Sequence, residues 1–251
     1  MYISIIGYGR MGRLVEEVAK QKNITIISTI DPNGTARYNE ITKESIGNAD
    51  VCICFTQASD IVETIGKVVE LKKNIVVGTT GWDDYIPDIK ELVEKAGVGM
   101  VYSPNFAFGV NIFFKIIEEA ALIVDKFDNY DVAIHEMHHR GKIDSPSGTA
   151  NTIGKIILDN MKQKNTIEDQ KIERQISEDE LHISSSRCGC VPGYHTVYFD
   201  SEEDTIQLTH TARSRKGFAV GAIIAAEWIK GRVGYFTKDD VLKGLFEVSN
   251  K

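Results

Sequence analysis

The residues whose types are best suited to catalysis lie in the segment His135–Ala150, which holds three histidines, an arginine and a lysine beside a turn. Alternating apolar residues before it predict a strand, and the residues after Pro146 are typical of a helix. The backbone amides of Gly148 and Thr149 would then face outward without intrahelical partners. We therefore expect an active site for a small polyanion, most simply a dicarboxylate. One histidine would hold the transferred proton, and Lys142 would supply a positive charge or a second acid.

Each of these residues also has a simpler interpretation when it is taken alone. His138 and His139 would be ordinary histidines at a strand end, and Arg140 with Lys142 would form a solvated basic edge. Histidines at this spacing also occur as metal ligands, but the crowded positive charges here would oppose a divalent cation. The density of the whole group favours an active site, and we expect no metal in it.

The composition limits the class of protein. The chain has 251 residues, of which 42% are hydrophobic and 26% are charged, as in soluble globular proteins of one or two domains. A net charge of −7 without a long basic tract argues against nucleic acid and favours small-molecule partners. No apolar run approaches the roughly 18 residues of a membrane span, and Met1 leads directly into an apolar segment rather than a charged leader. We expect a cytoplasmic protein that does not bind membranes.

Four cysteines form two Cys-x-Cys pairs, and neither pair is a Cys-x-x-Cys motif. Cys52 and Cys54 lie in the apolar run Val51–Phe55, so we expect buried side chains in a reducing compartment. Cys188 and Cys190 occupy a turn-like stretch, where a redox or metal-binding pair is the alternative to a plain turn. The sequence offers no second ligand pair nearby, and we assign these two cysteines no role.

The first part of the chain alternates strands with helices, which is typical of a parallel sheet covered on both faces. The predicted strands are Tyr2–Ile6, Ile24–Ile30, Val51–Phe55, Asn74–Val77 and Gly99–Tyr102. The predicted helices are Met11–Lys20, Ile61–Leu71 and Asp84–Ala96. Ligands of open parallel sheets bind beyond the carboxyl ends of the strands, so we expect the turns after these strands to line one crevice.

After Phe106 the pattern changes, because several strands follow one another without helices between them. The predicted strands are Asp131–Met137, Leu181–Ser186, His195–Phe199 and Thr205–Thr209. The predicted helices are Gly109–Asp125, Gly148–Lys162 and Phe218–Lys230. We expect a smaller α+β domain with a mixed or antiparallel sheet, an exposed loop over Lys162–Glu180, and a last helix that returns to the first domain.

The residues Gly7-Tyr8-Gly9-Arg10-Met11-Gly12 form a G-x-G-x-x-G motif directly after a predicted strand and directly before a predicted helix. Gly7 permits the tight turn, Gly9 lets the backbone approach a pyrophosphate, and Gly12 lets helix and strand pack closely. Asp31 ends the second strand, where a carboxylate would bond the ribose hydroxyls of an adenosine. These features predict an α/β fold whose first domain has a Rossmann-type parallel sheet and binds a dinucleotide.

The acid at the end of the second strand also bears on the choice of cofactor. The carboxylate of Asp31 should repel a 2′-phosphate, and Pro32–Gly34 offers no adjacent cation. We expect NADH to be favoured over NADPH, with Arg10 and Arg37 moderating the preference. The turns after the fourth and fifth strands are candidates for contact with the nicotinamide half of the cofactor.

Together these segments resemble one family. The segment His138–Ala150 and the turns Gly9–Gly12, Gly78–Gly81 and Pro104–Phe106 are similar to those of the 4-hydroxy-tetrahydrodipicolinate reductase (dihydrodipicolinate reductase) family. The resemblance runs nearly end to end, and the histidine-lysine segment is specific to that family. It implies NAD(P)H-dependent reduction of a cyclic, unsaturated pyridine-type dicarboxylate to tetrahydrodipicolinate, in the diaminopimelate route to lysine. It also implies a homotetramer assembled through the carboxy-terminal sheet.

The resemblance implies a role for each matching residue. His138 would be the proton donor and acceptor, Lys142 a proton donor, and His139, Gly148 and Thr149 would contact the substrate. The implied cofactor-binding residues are Gly7, Tyr8, Gly9, Arg10, Met11, Gly12, Asp31, Gly78, Thr79, Thr80, Ser103, Pro104, Asn105 and Phe106. Residues 1–106 with 216–251 would form the dinucleotide-binding domain, and residues 107–215 the substrate-binding and tetramerisation domain.

The sequence departs from the family at three places. Many relatives have one more residue in the turn Gly7–Gly12, and many carry a glutamate where Tyr194 precedes a histidine. The family often has an arginine or lysine after the acid, where Pro32 stands here, and this supports the preference for NADH.

Two other functions are also compatible with the dinucleotide motif. A homoserine or aspartate dehydrogenase would explain that motif equally well, but it would not explain the segment His138–Lys142. A nucleotide-sensing regulator would bind NADH without turnover, but the sequence has neither a DNA-reading module nor a basic stripe.

Overall fold

The structure is a computed structural model that describes residues 1–247. These residues form two compact units. One comprises Met1–Phe108 with the described residues from Arg215 onward, and the other comprises Gly109–Ser214. The domains expected from the sequence are 1–106 with 216–251 and 107–215, and residues 248–251 lie outside the described residues. The roles assigned to the two domains stay predictions.

The strands and helices follow the chain in this order. The strands are β1 (Tyr2–Ile6), β2 (Thr25–Ile30), β3 (Val51–Cys54), β4 (Asn74–Val77), β5 (Gly99–Tyr102), β6 (Asp131–His138), β7 (Thr166–Glu168), β8 (Glu180–Arg187), β9 (Tyr194–Asp200), β10 (Thr205–Thr211) and β11 (Gly234–Thr237). The helices are α1 (Arg10–Gln21), α2 (Lys43–Ile46), α3 (Ile61–Glu70), α4 (Ile86–Ala96), α5 (Phe108–Val124), α6 (Gly148–Asn160), α7 (Lys216–Ile229) and α8 (Lys238–Glu247).

Within the described residues, the first unit holds a six-stranded sheet in the order β11-β5-β4-β3-β1-β2, and all its neighbouring strands are parallel. Alternate residues of β3 point to opposite faces, where Ile53 packs in a core with α1 and α7, and Cys52 and Cys54 pack with α3 and α4. The strand is apolar throughout because both faces are covered. Burial raises the pKa of Cys52 to about 12 and that of Cys54 to about 11, so both thiols stay protonated.

The second unit, over its described residues, holds a five-stranded sheet in the order β10-β9-β6-β8-β7. Strand β6 runs parallel to β8 and antiparallel to β9, so the sheet is mixed. Helices α5 and α6 cover one face, where Ile117 and Ile153 pack against Ile134 of β6. The predicted fold class is confirmed, with a Rossmann-type parallel sheet in one unit and a smaller mixed sheet in the other.

Most predicted elements agree with the structure within two residues, but four were missed. Helix α2 and strand β7 are short, and β7 pairs with β8 inside the stretch Lys162–Glu180 that was expected to be loop. Strand β11 and helix α8 were missed at the carboxyl end. Asp240 accepts hydrogen bonds from the backbone N–H and hydroxyl of Thr237, and this Thr-x-x-Asp pattern before an apolar run is a known signal of a helix start. In residues 1–247, no helix has the length and apolar character needed to cross a membrane.

Gly221 of α7 packs against backbone, and its substitution should destabilise the first unit. A Cβ at this position would lie 1.9 Å from the carbonyl oxygen of Phe106. We expect Gly221→Ala to displace the helix and to lower the free energy of unfolding by about 1–3 kcal/mol. Gly217→Ala is the matched control on the same helix, because its Cβ would meet no described atom within 4 Å. Urea unfolding measures both, and equal midpoints for the two variants would contradict the close approach.

Candidate active site

The candidate catalytic residues lie where β6 leaves the apolar core of the second unit. The two-residue period of the strand puts Glu136 and His138 on the face that is buried further back along β6. Strand pairing sets His195 of β9 opposite Glu136 and Arg187 of β8 opposite His138. The sheet thereby gathers a carboxylate, two imidazoles and a guanidinium from three strands.

Glu136 is at the centre of this group. Its side chain has no exposed surface, and its Oε2 lies 2.9 Å from Nδ1 of His138 and 3.7 Å from Nε2 of His195. Its Oε1 accepts a hydrogen bond of 3.0 Å from Arg187. The rings of His138 and His195 meet edge to face with their centroids 5.1 Å apart. The carboxylate therefore lies within ion-pair distance of both rings, although its Oε2 and the Nδ1 atoms of His138 and His195 make no hydrogen bond among the described residues.

The hydrogen bonds around Glu136 keep it ionised. Burial alone would raise the pKa of this carboxyl, but hydrogen bonding by Ser147, Ser185 and Arg187 outweighs burial, and the pKa lies below its ordinary value. A buried carboxylate without such partners would instead be neutral. The site therefore contains a fixed negative charge beside His138.

Burial favours the neutral form of both buried histidines. Burial lowers the pKa of His138, the Glu136 carboxylate opposes this effect, and Lys142 and Arg187 lower the pKa further. Burial and the neighbouring His138 lower the pKa of His195 to about 4. An anionic ligand beside His138 would favour its protonated form.

The amino terminus of α6 lies beside the same group. Ser147 caps the helix by accepting a hydrogen bond from the backbone N–H of Ala150, and its Oγ lies 3.1 Å from Nε2 of His195. Gly148 and Thr149 form the first turn, where backbone N–H groups have no intrahelical acceptor and the helix dipole favours anions. The structure places this helix start beside the histidines, and its role in binding an anion stays a prediction.

Lys142 lies in the loop between β6 and α6. Its Nζ donates to both carboxylate oxygens of Asp144, at 2.7 and 2.8 Å. This contact holds the pKa of Asp144 below its usual range. Lys142 is one of the charges that lower the pKa of His138, so it lies within electrostatic range of that ring. These two bonds use two of the three N–H donors of the ammonium group, so one donor remains for a ligand.

The histidine-rich segment divides into buried and exposed residues. His138 is 7% exposed, whereas His139 and Arg140 are exposed beyond the end of the strand. His135 points to the other face of the sheet, where its Nδ1 lies 2.9 Å from the hydroxyl of Ser184 and its ring packs against Tyr194. The substitution at Tyr194 therefore falls on the face away from Glu136.

Four residues of this group were missed as site residues, namely Glu136, Ser147, Arg187 and His195. Glu136 was available from the spacing, because it lies two residues before His138 in a predicted strand. Ser147 carries the usual signal of a helix cap. His195 and Arg187 come from strands about fifty residues further along, and only the register of the sheet places them here.

Glu136, His138 and His195 also form a group that could hold a metal ion, because their ligand atoms lie within 4.8 Å of one another. The Arg187 guanidinium already occupies one oxygen of Glu136 and places a positive charge beside the group. A divalent cation would be repelled by that charge and by Lys142. The absence of a resident metal therefore stays our expectation.

The turns at the carboxyl ends of β1 to β5 line a crevice in the first unit. Three adjoining depressions have volumes of about 430, 580 and 320 Å³ and share lining residues, so together they have the size of a cofactor site. The predicted residues that line them are Gly7, Tyr8, Gly9, Arg10, Met11, Asp31, Gly78, Thr79, Thr80, Pro104 and Phe106.

Three predicted cofactor residues, Gly12, Ser103 and Asn105, do not line these depressions. Gly12 is packed, since a Cβ there would lie 2.2 Å from the carbonyl oxygen of Gly7. Ser103 is buried and its hydroxyl bonds to the backbone of Asn105, whose side chain accepts from a backbone N–H within the same turn. The lining residues that sequence reasoning missed include Phe55 after β3 and Arg215 with Phe218 at the start of α7. Arg215 has no local signal that relates it to the glycine turn.

Asp31 is held in the orientation that the dinucleotide motif requires. Its Oδ2 accepts from the backbone N–H of Tyr8 at 2.8 Å, and its Oδ1 accepts from that of Asn33 at 2.9 Å. Gly9 has open space at its Cβ position, so the backbone can approach a pyrophosphate at the start of α1. The residues present therefore fit a dinucleotide. Arg13, which donates to Thr35 in the turn after Asp31, is the nearby cation that the sequence analysis missed.

The first unit has a parallel sheet with a dinucleotide crevice, and the second unit has a histidine-lysine site. These features are typical of NAD(P)H-dependent oxidoreductases. Residues 1–106 match the family described as "Dihydrodipicolinate reductase, N-terminus", and residues 109–242 match "Dihydrodipicolinate reductase, C-terminus". The chain belongs to the dihydrodipicolinate reductase family.

Similar proteins agree with this assignment. The chain is 37% identical over 249 residues to the 4-hydroxy-tetrahydrodipicolinate reductase of Christiangramia forsetii, covering 98% of this chain and 100% of that one. It is 39% identical over 253 residues to the enzyme of the same name from Archaeoglobus fulgidus, covering 94% and 96%. The structure of dipicolinate-bound dihydrodipicolinate reductase from Paenisporosarcina sp. TG-14 has the same fold, with a TM-score of 0.73, 22% identity, and coverage of 94% and 97%.

The family confirms the function expected from the resemblance. The chain is an oxidoreductase with 4-hydroxy-tetrahydrodipicolinate reductase activity, which belongs to lysine biosynthesis, and its amino-terminal part is an NAD(P)H-binding domain. The interpretations as a homoserine or aspartate dehydrogenase and as a sensor without turnover are set aside on this ground.

Proposed function

We propose that the chain converts 4-hydroxy-tetrahydrodipicolinate to tetrahydrodipicolinate with His138 as proton donor and acceptor. Lys142 acts as a proton donor, and His139, Gly148 and Thr149 contact the substrate. The observation that carries this proposal is the buried ring of His138, which lies 2.9 Å from a carboxylate and close to the amino terminus of α6. That arrangement supplies a titratable proton next to a place for an anion.

Loss of water from the substrate, a hydroxyl with a hydrogen from the adjacent carbon, leaves a ring C=C bond conjugated with the C=N bond. A hydride and a proton then add across that C=C bond. NAD(P)H supplies the hydride when it is bound. Hydride addition leaves negative charge on a carbon conjugated to the ring nitrogen, and this charge is removed by a proton from His138. The two carboxylates of the substrate account for the clustered donors, because Lys142 and the amides of Gly148 and Thr149 can each bind a carboxylate oxygen.

Recognition of two carboxylates is tested with unreactive ligands. Titration calorimetry in the presence of NADH would compare pyridine-2,6-dicarboxylate with pyridine-2-carboxylate, which lacks one carboxylate. A charged hydrogen bond contributes about 1.5–3 kcal/mol, so we expect the dicarboxylate to bind at least about tenfold more tightly. Equal affinities would contradict a site built for a dicarboxylate.

The proposed cofactor contacts are the predicted residues of the first unit. Gly7–Met11 receives the pyrophosphate, Asp31 binds the ribose hydroxyls, and Gly78–Thr80 with Pro104 and Phe106 forms the nicotinamide end. Gly12, Ser103 and Asn105 support these turns from behind. NADH is the favoured cofactor, because both oxygens of Asp31 are fixed by backbone donors and cannot swing away from a 2′-phosphate without losing them. Arg13 supports some use of NADPH, since it lies against Thr35 in the adjacent turn.

Replacing Asp31 by serine should shift the preference toward NADPH. The variant removes a repulsion between the carboxylate and the 2′-phosphate that amounts to about 1–4 kcal/mol at close range. We expect the ratio of kcat/KM for NADPH to that for NADH to rise about tenfold or more. Asp88→Asn, an exposed acid on α4, is the control for removal of one negative charge. An unchanged ratio in Asp31→Ser would contradict this role.

The exposed surface of the second sheet bears on the assembly of the protein. We propose a homotetramer formed through the second sheet, whose Ala133, His135 and Met137 face is only partly buried and whose Ile206 is 43% exposed. Light scattering that gives the mass of one chain at micromolar concentration would contradict it. The biosynthetic role supports a cytoplasmic location, which cell fractionation would test.

A further inference from the structure

Glu136 and Arg187 have no role in the proposed reaction. Glu136 nevertheless lies against the ring of His138, and Arg187 donates hydrogen bonds to the loop that carries Lys142. We propose that they form a positioning pair, in which Glu136 orients the ring of His138 and Arg187 holds the loop of Lys142 against the same carboxylate. The inference rests on the proposed function, because it concerns how the two proton donors are held. Both residues act through others and contact no reacting atom.

The orientation of the His138 ring follows from what lies on each side of it. On the inner side, Nδ1 lies 2.9 Å from Oε2 of the fully buried Glu136. On the other side, a Cβ at Gly193 would lie 3.1 Å from Nε2, so a side chain there would crowd this nitrogen. The carboxylate therefore favours the proton on Nδ1, and glycine leaves Nε2 accessible. The nitrogen that exchanges protons with the substrate is Nε2.

Arg187 links that carboxylate to the loop between β6 and α6. Its Nη1 donates to Oε1 of Glu136 at 3.0 Å, while its Nε and Nη2 donate to the carbonyl oxygens of Lys142 and Asp144 at 3.3 and 2.6 Å. The planar fork of a guanidinium can satisfy these directions at once, whereas an ammonium group cannot. One side chain thus joins the partner of His138 to the backbone that carries Lys142.

The charge of Glu136 has a second effect on His138. The charged and titratable groups that face the His138 ring are Glu136, Lys142, Asp144, Arg187 and His195. Asp144 is already bound by Lys142, so Glu136 is the main carboxylate that favours a protonated ring. Loss of its charge would leave the cations unopposed, and the pKa of His138 would fall further. The acid form would then be lost at a lower pH.

The test compares variants of this pair with a second arginine–glutamate pair in the same unit. Glu136→Gln is expected to lower kcat about 10²-fold, the loss typical of a misplaced catalytic group, with little change in KM. The alkaline decline of kcat should also move to lower pH. Arg187→Met should lower kcat and raise KM for the substrate, because the loop of Lys142 is released. Arg187→Lys should recover part of kcat by restoring the charge, but not KM.

The controls are Glu180→Gln and Arg174→Met, which break an exposed pair with two contacts of 2.7 Å. They should leave kcat and its pH profile unchanged. If Glu136→Gln does not fold, Glu136→Asp takes its place; it keeps the charge but shortens the reach, so kcat should fall while the pH profile stays. Wild-type kcat and pH profile in Glu136→Gln would overturn the inference. Wild-type kcat in His138→Gln would overturn the proposed function instead, so the two failures are distinguishable.

Discussion

His138→Gln is expected to lower kcat about 10²- to 10⁴-fold, because it removes the acid that protonates the reduced substrate. Glutamine has a similar size and can still donate a hydrogen bond, but it cannot transfer a proton at neutral pH. The dissociation constant for NADH should stay near that of the wild type, since His138 belongs to the second unit and the dinucleotide crevice belongs to the first. Steady-state NADH oxidation and fluorescence titration measure the two quantities.

The control for this variant is a histidine of the same strand. His135→Gln changes a side chain on the opposite face of β6, where the ring contacts Ser184 and Tyr194. It should retain most of the wild-type kcat. If His135→Gln and His138→Gln lose activity equally, the effect comes from the strand and not from a proton at His138.

Lys142→Ala is expected to have the second largest effect, with a rise in KM of about 10- to 100-fold and a fall in kcat. The variant removes a charged hydrogen bond to the substrate, which contributes about 1.5–3 kcal/mol, together with a proton donor. Its ion pair with Asp144 is lost as well, but that pair is partly exposed and contributes little to stability. Initial rates over a range of substrate concentrations separate the two effects.

Lys162→Ala is the matched control, since Lys162 also pairs with an aspartate, Asp125, at 3.2 Å in the second unit. Its side chain is 91% exposed, and we expect wild-type kinetics. Asp144→Asn gives a further check because it frees Lys142 without removing it. Wild-type KM in Lys142→Ala would show that the lysine neither binds the substrate nor sets its orientation.

The sequence predicted the part of the site that is local along the chain. His138, Lys142, Gly148 and Thr149 lie within twelve residues, and the strand and helix that present them have clear periodicity and a clear start. The positions of Glu136 and His138 on one face follow from the strand period alone. What that face meets does not follow, because it depends on which strand pairs with β6 and in which register.

The missed residues show the same limit. Arg187 bonds to Glu136, which lies 51 positions earlier in the chain. Arg215 lines the dinucleotide crevice although it belongs to the second segment of the first unit, which begins after residue 214. No spacing rule connects such residues before the fold is known. The missed strand β11 is different, because its four partly buried residues, of which the first is a glycine, carry little periodicity. Its place at the sheet edge depends on pairing with β5.

Oxidation of NADH by the unmodified protein with freshly prepared 4-hydroxy-tetrahydrodipicolinate is the most direct test of its activity. The absorbance of NADH is followed in this reaction and in parallel reactions with aspartate semialdehyde and with oxaloacetate plus ammonia. We expect turnover with the cyclic dicarboxylate alone, with one NADH consumed for each tetrahydrodipicolinate formed. A folded, NADH-binding protein that oxidises no NADH with this substrate, or that prefers either open-chain compound, would contradict this expectation.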